Sequence, residues 1–224
     1  MKTSVLILAA GPYRHGWTED APKHLALIAG EPLILRTLRQ LKERGYDEEV
    51  VVVTHNKAIQ AVVPRYFEPA KFYWRSETLL STRELWGERT IVLHGDAVFS
   101  SRFMDALVAA PEPFMFIGIG NLLHTEAFVF TDQALVLKAA KVATEAAYAG
   151  EVEPKPKNVG QNTPHGWGHQ YEHWWFYYTL SGLPPVLARH FDPKIHRIIT
   201  GDYTRDIDTP EKYSQFLSKN EWAR

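Results

Sequence analysis

Apolar residues fall along this chain in two alternating rhythms. Val5, Leu6, Ile7 and Leu8 form an unbroken apolar run over 5–9 that stops at Gly11, the pattern of a central parallel strand covered on both faces. A polar stretch then reaches Lys23. Glu31-Pro32 opens a segment in which Leu33, Leu35, Leu38 and Leu41 recur at helical spacing, and Gly45 closes it. Proline near the first turn and glycine just past the last are helix boundaries. A second buried strand follows over 49–54, then a weak helix over 57–66 interrupted by Pro64, a short strand over 71–74, a helix over 78–86 and a strand over 90–94 that ends in Gly95-Asp96. This order predicts an α/β fold with helices on both faces of the sheet. Right-handed crossovers then bring the carboxyl ends of the strands to one edge, where ligands of open α/β sheets bind.

The rhythm loosens in the second half. Residues 113–118 and 126–131 read as strands and form a candidate hairpin, and 133–149 is an Ala-rich helix. The stretch 151–164 is rich in Pro, Lys and Asn and reads as a mobile loop, while 170–180 is heavily aromatic. A last strand is expected at 197–200. Thr209-Pro210 opens a final helix, with Thr209 as its cap and Pro210 as its first residue. No internal repeat is present.

Composition narrows the classes. The chain has 224 residues, 25 Lys plus Arg against 26 Asp plus Glu, and no Cys. Absence of Cys excludes a disulfide framework, a thiolate nucleophile and any Cys-ligated metal. The balanced charge does not advertise nucleic acid as a partner. The longest apolar run near the start is too short to span a bilayer. The expectation is a single domain over 1–224, cytoplasmic, without nucleic-acid or membrane partners.

Three patches can carry chemistry. Ala9-Ala10-Gly11 leaves a buried strand, with Arg14 and Lys23 flanking the loop. Such a loop exposes backbone N–H groups, glycine permits close approach, and the two cations can neutralise a polyphosphate. On spacing alone a surface loop with two solvated cations is the plainer reading. Gly95-Asp96 delivers a carboxylate to the ligand edge, where it can bind a hard cation or cap the turn. Asp206 and Asp208 are two apart and share a face if extended. They can be metal ligands, or favour the positive end of the helix that Thr209 opens.

Read together, the patches resemble the nucleotidyltransferase family, whose members join a nucleoside triphosphate to a phosphorylated sugar or alcohol. Leu8-Ala9-Ala10-Gly11, Arg14, Pro22-Lys23-His24-Leu25 and Gly30-Glu31-Pro32-Leu33 resemble its L-A-A-G-x-G-x-R, P-K-x-L and G-x-P-L signature. Here Pro12-Tyr13 replaces the second glycine, and Arg14 comes one position early. Leu93-His94-Gly95-Asp96 resembles the segment whose Asp binds magnesium, and Asp206-Ile207-Asp208-Thr209-Pro210-Glu211 the acidic segment that completes the metal site.

The resemblance implies a Rossmann-like three-layer sandwich with a mostly parallel mixed sheet, as in nucleotide-diphospho-sugar transferases. It implies Mg2+ as cofactor, held by Asp96 and Asp208, with Asp206 second. The nucleotide would lie against Leu8, Ala9, Ala10, Gly11, Arg14, Lys23 and Gly95, with Thr78, Ser81 and Thr82 as candidates to face its base, unless one of them only caps the helix that opens there. Catalysis would fall to Lys23, Arg14, Asp96 and Asp208. An insertion or lid around 120–190 would bind the acceptor through Glu126, Lys155, Lys157, His169 and Tyr171. His165, His169 and His173 are spaced by four, as zinc-binding imidazoles on a helix can be. Pro164, Gly166 and Gly168 disfavour a helix there, so an acceptor-lining role or an aromatic core around Trp174 and Trp175 is expected instead. Two alternatives stand: a glycosyltransferase on the same type of sheet using a nucleotide sugar, and a catalytically silent nucleotide-binding relative. Base, acceptor and oligomeric state, a homo-oligomer included, stay open.

Overall fold

The computed structural model describes residues 2–11, 16–110, 114–119, 124–149, 176, 196–199, 204–207 and 209–219. β1 (Thr3–Leu8) is followed by the short strands β2 (Leu27–Ile28) and β3 (Glu31–Pro32) and helix α1 (Leu33–Lys42). Then come β4 (Val50–Val53), α2 (Lys57–Gln60), β5 (Tyr66–Phe67), α3 (Arg75–Ser81), β6 (Arg89–His94), β7 (Ala97–Val98) and α4 (Ser101–Val108). β8 (Phe114–Ile119), β9 (His124–Phe130), α5 (Gln133–Ala149), β10 (His196–Ile199), β11 (Arg205–Asp206) and α6 (Pro210–Ser218) complete the described elements.

Seven strands form the main sheet in the order β10-β8-β9-β6-β1-β4-β5. β9 runs against both its neighbours, and the other described strands of this sheet run one way. Period-two alternation divides the strand side chains between two cores. Val5, Ile7, Val50, Val52, Ile91 and Leu93 pack with α1 and α4 residues such as Ile34, Leu41, Phe103 and Leu107. Leu6, Val51, Val53, Val92 and Phe128 pack with Leu79 of α3 and Val136, Ala139, Ala140 and Ala143 of α5. Burial on both faces is why β1, β4 and β6 carry continuous apolar runs. The result is the expected three-layer α/β architecture with a mostly parallel mixed sheet.

The middle of the first half differs from the sequence pattern. α2 is a single turn, and 71–74 is not a strand. The strand after β4 is Tyr66–Phe67, where the end of a helix was expected. Pro64 cannot continue a helix, and the edge of β4 captures the chain beyond it: Val52 N–H donates to Arg65 O at 3.1 Å and Thr54 N–H to Phe67 O at 2.9 Å. Trp74, read as strand, is fully buried against Ala146 and Ala147 of α5 and precedes α3. That helix starts earlier than expected because the Glu77 carboxylate accepts from the backbone N–H groups of Tyr73 and Trp74 at 3.1 and 3.2 Å, satisfying donors a helix start leaves open.

Glu31-Pro32 belongs to a small hairpin and not to the first turn of α1. Ala29 and Gly30 adopt φ of 54° and 82°, the positive values of a mirror-image two-residue turn. The β8–β9 hairpin, α5 and β10 fall where the pattern places them. α6 opens as expected, with Lys212 N–H donating to Thr209 Oγ1 at 3.1 Å and Pro210 in its first turn.

Candidate active site

β1 and β6 are neighbours in register, with Leu8 opposite His94. Their exits stay together: Gly95 N–H donates to Leu8 O at 2.8 Å, and Ala9 N–H donates to Val53 O at 2.8 Å. Leu8-Ala9-Ala10-Gly11 and Gly95-Asp96 therefore leave the sheet side by side at its carboxyl edge. The fit is close. A Cβ on Gly95 would stand 3.0 Å from Leu8 O, 3.0 Å from Ala9 Cβ and 3.2 Å from His24 Cδ2, so the position requires the residue without one.

The P-K-x-L run makes one tight turn, closed by Leu25 N–H to Pro22 O at 2.9 Å and Ala26 N–H to Lys23 O at 3.0 Å. The turn buries His24, which is 4% exposed, and aims Lys23 across the edge. There the Lys23 ammonium donates to Asp96 Oδ2 in an ion pair whose side chains are 22% and 17% exposed.

Electrostatics at Asp96 oppose each other. Burial would raise its pKa, but the charges of Lys23, Arg75, His94 and His24 outweigh that and hold the carboxyl well below the usual range. Burial lowers His24 to about 4, with Lys23 and His55 adding to the shift and Asp96 opposing it. Burial, then Arg75, lowers His94 to about 3, with Asp96 opposing and Lys23 adding. The site at neutral pH is an ionised carboxylate against an ammonium, flanked by two neutral imidazoles.

The third patch arrives beside the second. β11 pairs antiparallel with β7, placing Asp206 opposite Ala97, and Ile207 N–H donates to Asp96 O at 3.2 Å. Asp208 is the next residue in the chain after Ile207 and lies outside the described residues, as do Arg14, Lys155, Lys157, His165, His169, Tyr171 and His173. For Asp206 and Glu126 the backbone places are known, on β11 and β9.

The hydroxyls expected near the base serve the local backbone. Thr78 Oγ1 donates to Trp74 O at 3.1 Å and Ser81 Oγ lies within reach of Glu77 O at 2.9 Å. Thr82 Oγ1 donates to Leu79 O at 2.7 Å and accepts from Trp86 Nε1 at 3.1 Å. Sequence reasoning missed His24, Arg75 and His94. His24 left a signal, an ionisable residue between Lys23 and Leu25 in a short motif; Arg75 left none, because its place depends on where α3 begins.

Among the described residues no three acidic or imidazole groups cluster as a ready-made metal site. Magnesium takes only one or two protein carboxylates and completes its shell with phosphates and water. An ionised Asp96 at the ligand edge, with the backbone of Asp206 on the adjacent β11, fits that requirement.

The mostly parallel mixed sheet, with a glycine loop and an aspartate leaving its first and middle strands and a lysine turned toward them, has a fold shared with several solved structures. The chain is similar in structure to the CTP:phosphocholine cytidylyltransferase of Streptococcus pneumoniae, with a TM-score of 0.59 and 14% identity over 98% of this chain and 100% of that one. It is similar to a putative glucose-1-phosphate thymidylyltransferase of Bacillus anthracis, with a TM-score of 0.57 and 13% identity over 98% and 96% of the two chains. It is also similar to the bifunctional IspDF of Campylobacter jejuni, with a TM-score of 0.58 and 15% identity over 96% of this chain and 54% of that one. In sequence, 59 residues are 41% identical to the bifunctional protein GlmU of Syntrophomonas wolfei. That stretch is 26% of this chain and spans only 13% of the length of that protein. No family model matches the chain.

Proposed function

We propose that the protein is a magnesium-dependent nucleotidyltransferase that joins a nucleoside triphosphate to a phosphorylated sugar or alcohol and releases pyrophosphate. The observation that carries this reading is the contact between Lys23 and Asp96 at the carboxyl edge, because it brings together the cation for a triphosphate and the carboxylate for its metal. The names of the similar structures, a cytidylyltransferase and a thymidylyltransferase, support the same class.

In the proposed reaction an acceptor phosphate oxygen forms a bond to the α-phosphorus. The bond from that phosphorus to the bridging oxygen breaks, and the electron pair leaves with pyrophosphate. The attacker is already anionic, so no general base is required, and catalysis reduces to positioning and charge stabilisation. Lys23, with Arg14, meets the charge of the β- and γ-phosphates. The main chain at Leu8, Ala9, Ala10, Gly11 and Gly95 lies along the nucleotide, with the stretch that carries Thr78, Ser81 and Thr82 toward the base and their hydroxyls spent on its own backbone. Asp96 and Asp208, with Asp206 second, would hold magnesium, which when bound neutralises charge on the α-phosphate and the incoming oxygen.

In this reading residues 1–224 act as one domain, with 120–190 supplying acceptor contacts through Glu126, Lys155, Lys157, His169 and Tyr171. No helix among the described residues is long and apolar enough to cross a membrane, which is compatible with the proposed cytoplasmic site of action. The test is pyrophosphate release from ATP, CTP, GTP and UTP against a panel of sugar phosphates and phosphorylated alcohols, with and without Mg2+. Release that requires one triphosphate, one acceptor class and the metal is expected; no release from any combination overturns the reading.

A further inference from the structure

Lys23 reaches Asp96 from the end of a stretch with little packing of its own. Thr18, Glu19, Asp20 and Ala21 are all exposed, and the chain turns inward again at Pro22. Upstream, the ring of Trp17 meets that of Tyr213 on α6 edge-on, 6.0 Å between centroids. Between Trp17 and Pro22 a buried side chain from another strand exit takes hold of the loop. Asn56 Nδ2 donates to Glu19 O at 2.8 Å.

Asn56 comes three residues after Val53, the last residue of β4, whose carbonyl also accepts from Ala9 N–H at 2.8 Å. The exits of β1 and β4 are thus side by side. Asn56 is fully buried. Its Oδ1 accepts from Ile59 N–H at 2.9 Å and caps α2, which leaves the NH2 for the Glu19 carbonyl. Its own N–H donates to the buried Thr54 hydroxyl at 3.1 Å. An Asp in its place would cap as well but, ionised, has no hydrogen to give to a carbonyl. The pinned Glu19 carbonyl is joined to Lys23 by closed turns. Ala21 N–H donates to Thr18 Oγ1 at 3.1 Å, and Thr18 N–H to Ala21 O at 3.4 Å. Pro22, at φ −70°, then leads directly into the tight turn that bears Lys23. Turn follows turn from Thr18 to Leu25, so a displacement of Glu19 is passed on to Lys23.

We infer that Asn56 is a positioning residue for Lys23: its buried amide pins the loop so that the ammonium stands at Asp96 and, in the proposed reaction, at the departing pyrophosphate. The inference rests on the nucleotidyl-transfer reading and adds to it a residue that touches neither the proposed metal nor the proposed nucleotide. Asn56 acts through place alone, and place matters to an ammonium that stabilises developing charge. A misplacement of about 1 Å can cost a reaction on the order of 100-fold.

Two substitutions separate the pin from the cap. Asn56→Asp keeps the cap and removes the donor. Asn56→Ser keeps a capping oxygen on a shorter side chain, adds no charge, and serves also where the buried carboxylate of Asn56→Asp unfolds the chain. Pyrophosphate release from ATP, CTP, GTP and UTP with the acceptor panel is measured in each, alone and combined with Lys23→Met. In both single variants kcat should fall by about tenfold or more while KM for the triphosphate stays within about threefold. On the Lys23→Met background the same substitutions should change the rate by less than about threefold, because the group they displace is gone. Hydrogen exchange should quicken by about tenfold or more at Leu25 and Ala26, whose amides close the Lys23 turn, and stay unchanged at the capped Ile59 amide. Undiminished release, a loss confined to Asn56→Asp, or losses that add in full to that of Lys23→Met overturn the inference. So does quickened exchange at Ile59 in both variants, which would assign the effect to the cap. Wild-type protein that releases no pyrophosphate from any combination overturns the transfer reading instead. Quickened exchange at Leu25 and Ala26 then still upholds the pin, and unchanged exchange overturns both.

Discussion

The Lys23 ammonium and the Asp96 carboxylate, 73 residues apart in sequence, meet at the carboxyl edge of the sheet and neutralise each other. In the proposed reaction each has another partner, the triphosphate for Lys23 and the metal for Asp96. Either ligand must compete with the ion pair, and each frees a group for the other. Binding of metal and triphosphate is therefore expected to be mutually favourable, by about 1–3 kcal/mol on the scale of coupled sites. Calorimetric titration of Mg2+ with and without a non-hydrolysable triphosphate measures this directly. In Lys23→Met the carboxylate is released, so metal affinity without nucleotide should rise and the coupling should shrink. A metal affinity that Lys23→Met leaves unchanged would show that the pair does not gate the site.

His24 and His94 give the fold an acid-sensitive component. In the unfolded chain each takes up a proton near 6.5, but in the folded protein burial delays uptake to about 4 and about 3. The unfolded state then binds more protons throughout that interval, so stability rises with pH across it. Stability from these groups is complete above about 6.5 and falls as the pH drops toward 4, by up to about 1.4 kcal/mol per pH unit for each histidine. Asp96, whose folded pKa is depressed, adds a loss in the same direction, but only below the ordinary carboxylate range. Urea unfolding at intervals between pH 4.5 and 7.5 should show this slope, and His94→Gln should flatten it. A wild-type slope near zero would contradict the burial of neutral imidazoles.

Gly95 is a steric prediction. A methyl group there meets the Leu8 carbonyl at 3.0 Å, and that oxygen belongs to backbone already paired in the sheet. The softer neighbour is His24, whose ring would have to move and take the Pro22–Leu25 turn with it. Gly95→Ala should cost about 1–3 kcal/mol, the scale of overpacking. It should also weaken triphosphate binding more than a remote substitution of equal cost, because Lys23 rides on the same turn. Thermal unfolding and nucleotide titration of this variant beside an equally destabilised core variant separate the two effects.

The parts that sequence pattern exposes best are those whose burial is two-sided or whose turns are chemically marked. β1, β4 and β6 carry the unbroken apolar runs 5–8, 50–53 and 91–93 because helices cover both faces, and Thr209-Pro210 marks the start of α6. Residues 57–74 are less legible. The edge of β4 decides where the chain pairs, and Trp74, with Tyr73 beside it, packs on α5 instead of entering the sheet. Both are tertiary effects that overrule local pattern. At the candidate site, Lys23, Gly95 and Asp96 sit in recognisable motifs. The neutral state of His24 and His94 follows from burial and the nearness of Arg75 from where α3 begins, neither of which a linear pattern contains.

Lys23 also separates nucleotidyl transfer from glycosyl transfer. A triphosphate brings a pyrophosphate leaving group whose charge grows as its bond breaks, whereas a nucleotide sugar releases a nucleoside diphosphate. An ammonium aimed at the departing pyrophosphate acts mainly as that charge develops, so its loss should depress turnover more than binding. Lys23→Met is therefore expected to slow pyrophosphate release by roughly 100-fold or more while triphosphate affinity stays within about tenfold, the scale of losing one preorganised electrostatic donor. Stability is a necessary control. Lys23 faces a largely buried carboxylate and not open solvent, and removing it leaves Asp96 without its nearest cation. The cost should lie between that of an exposed pair and a buried one, about 1–3 kcal/mol, so rates must be compared well below the melting temperature of the variant. Two results would end the nucleotidyl-transfer reading: wild-type protein that liberates a nucleoside diphosphate from a nucleotide sugar but never pyrophosphate from a triphosphate, or a folded Lys23→Met protein with undiminished turnover.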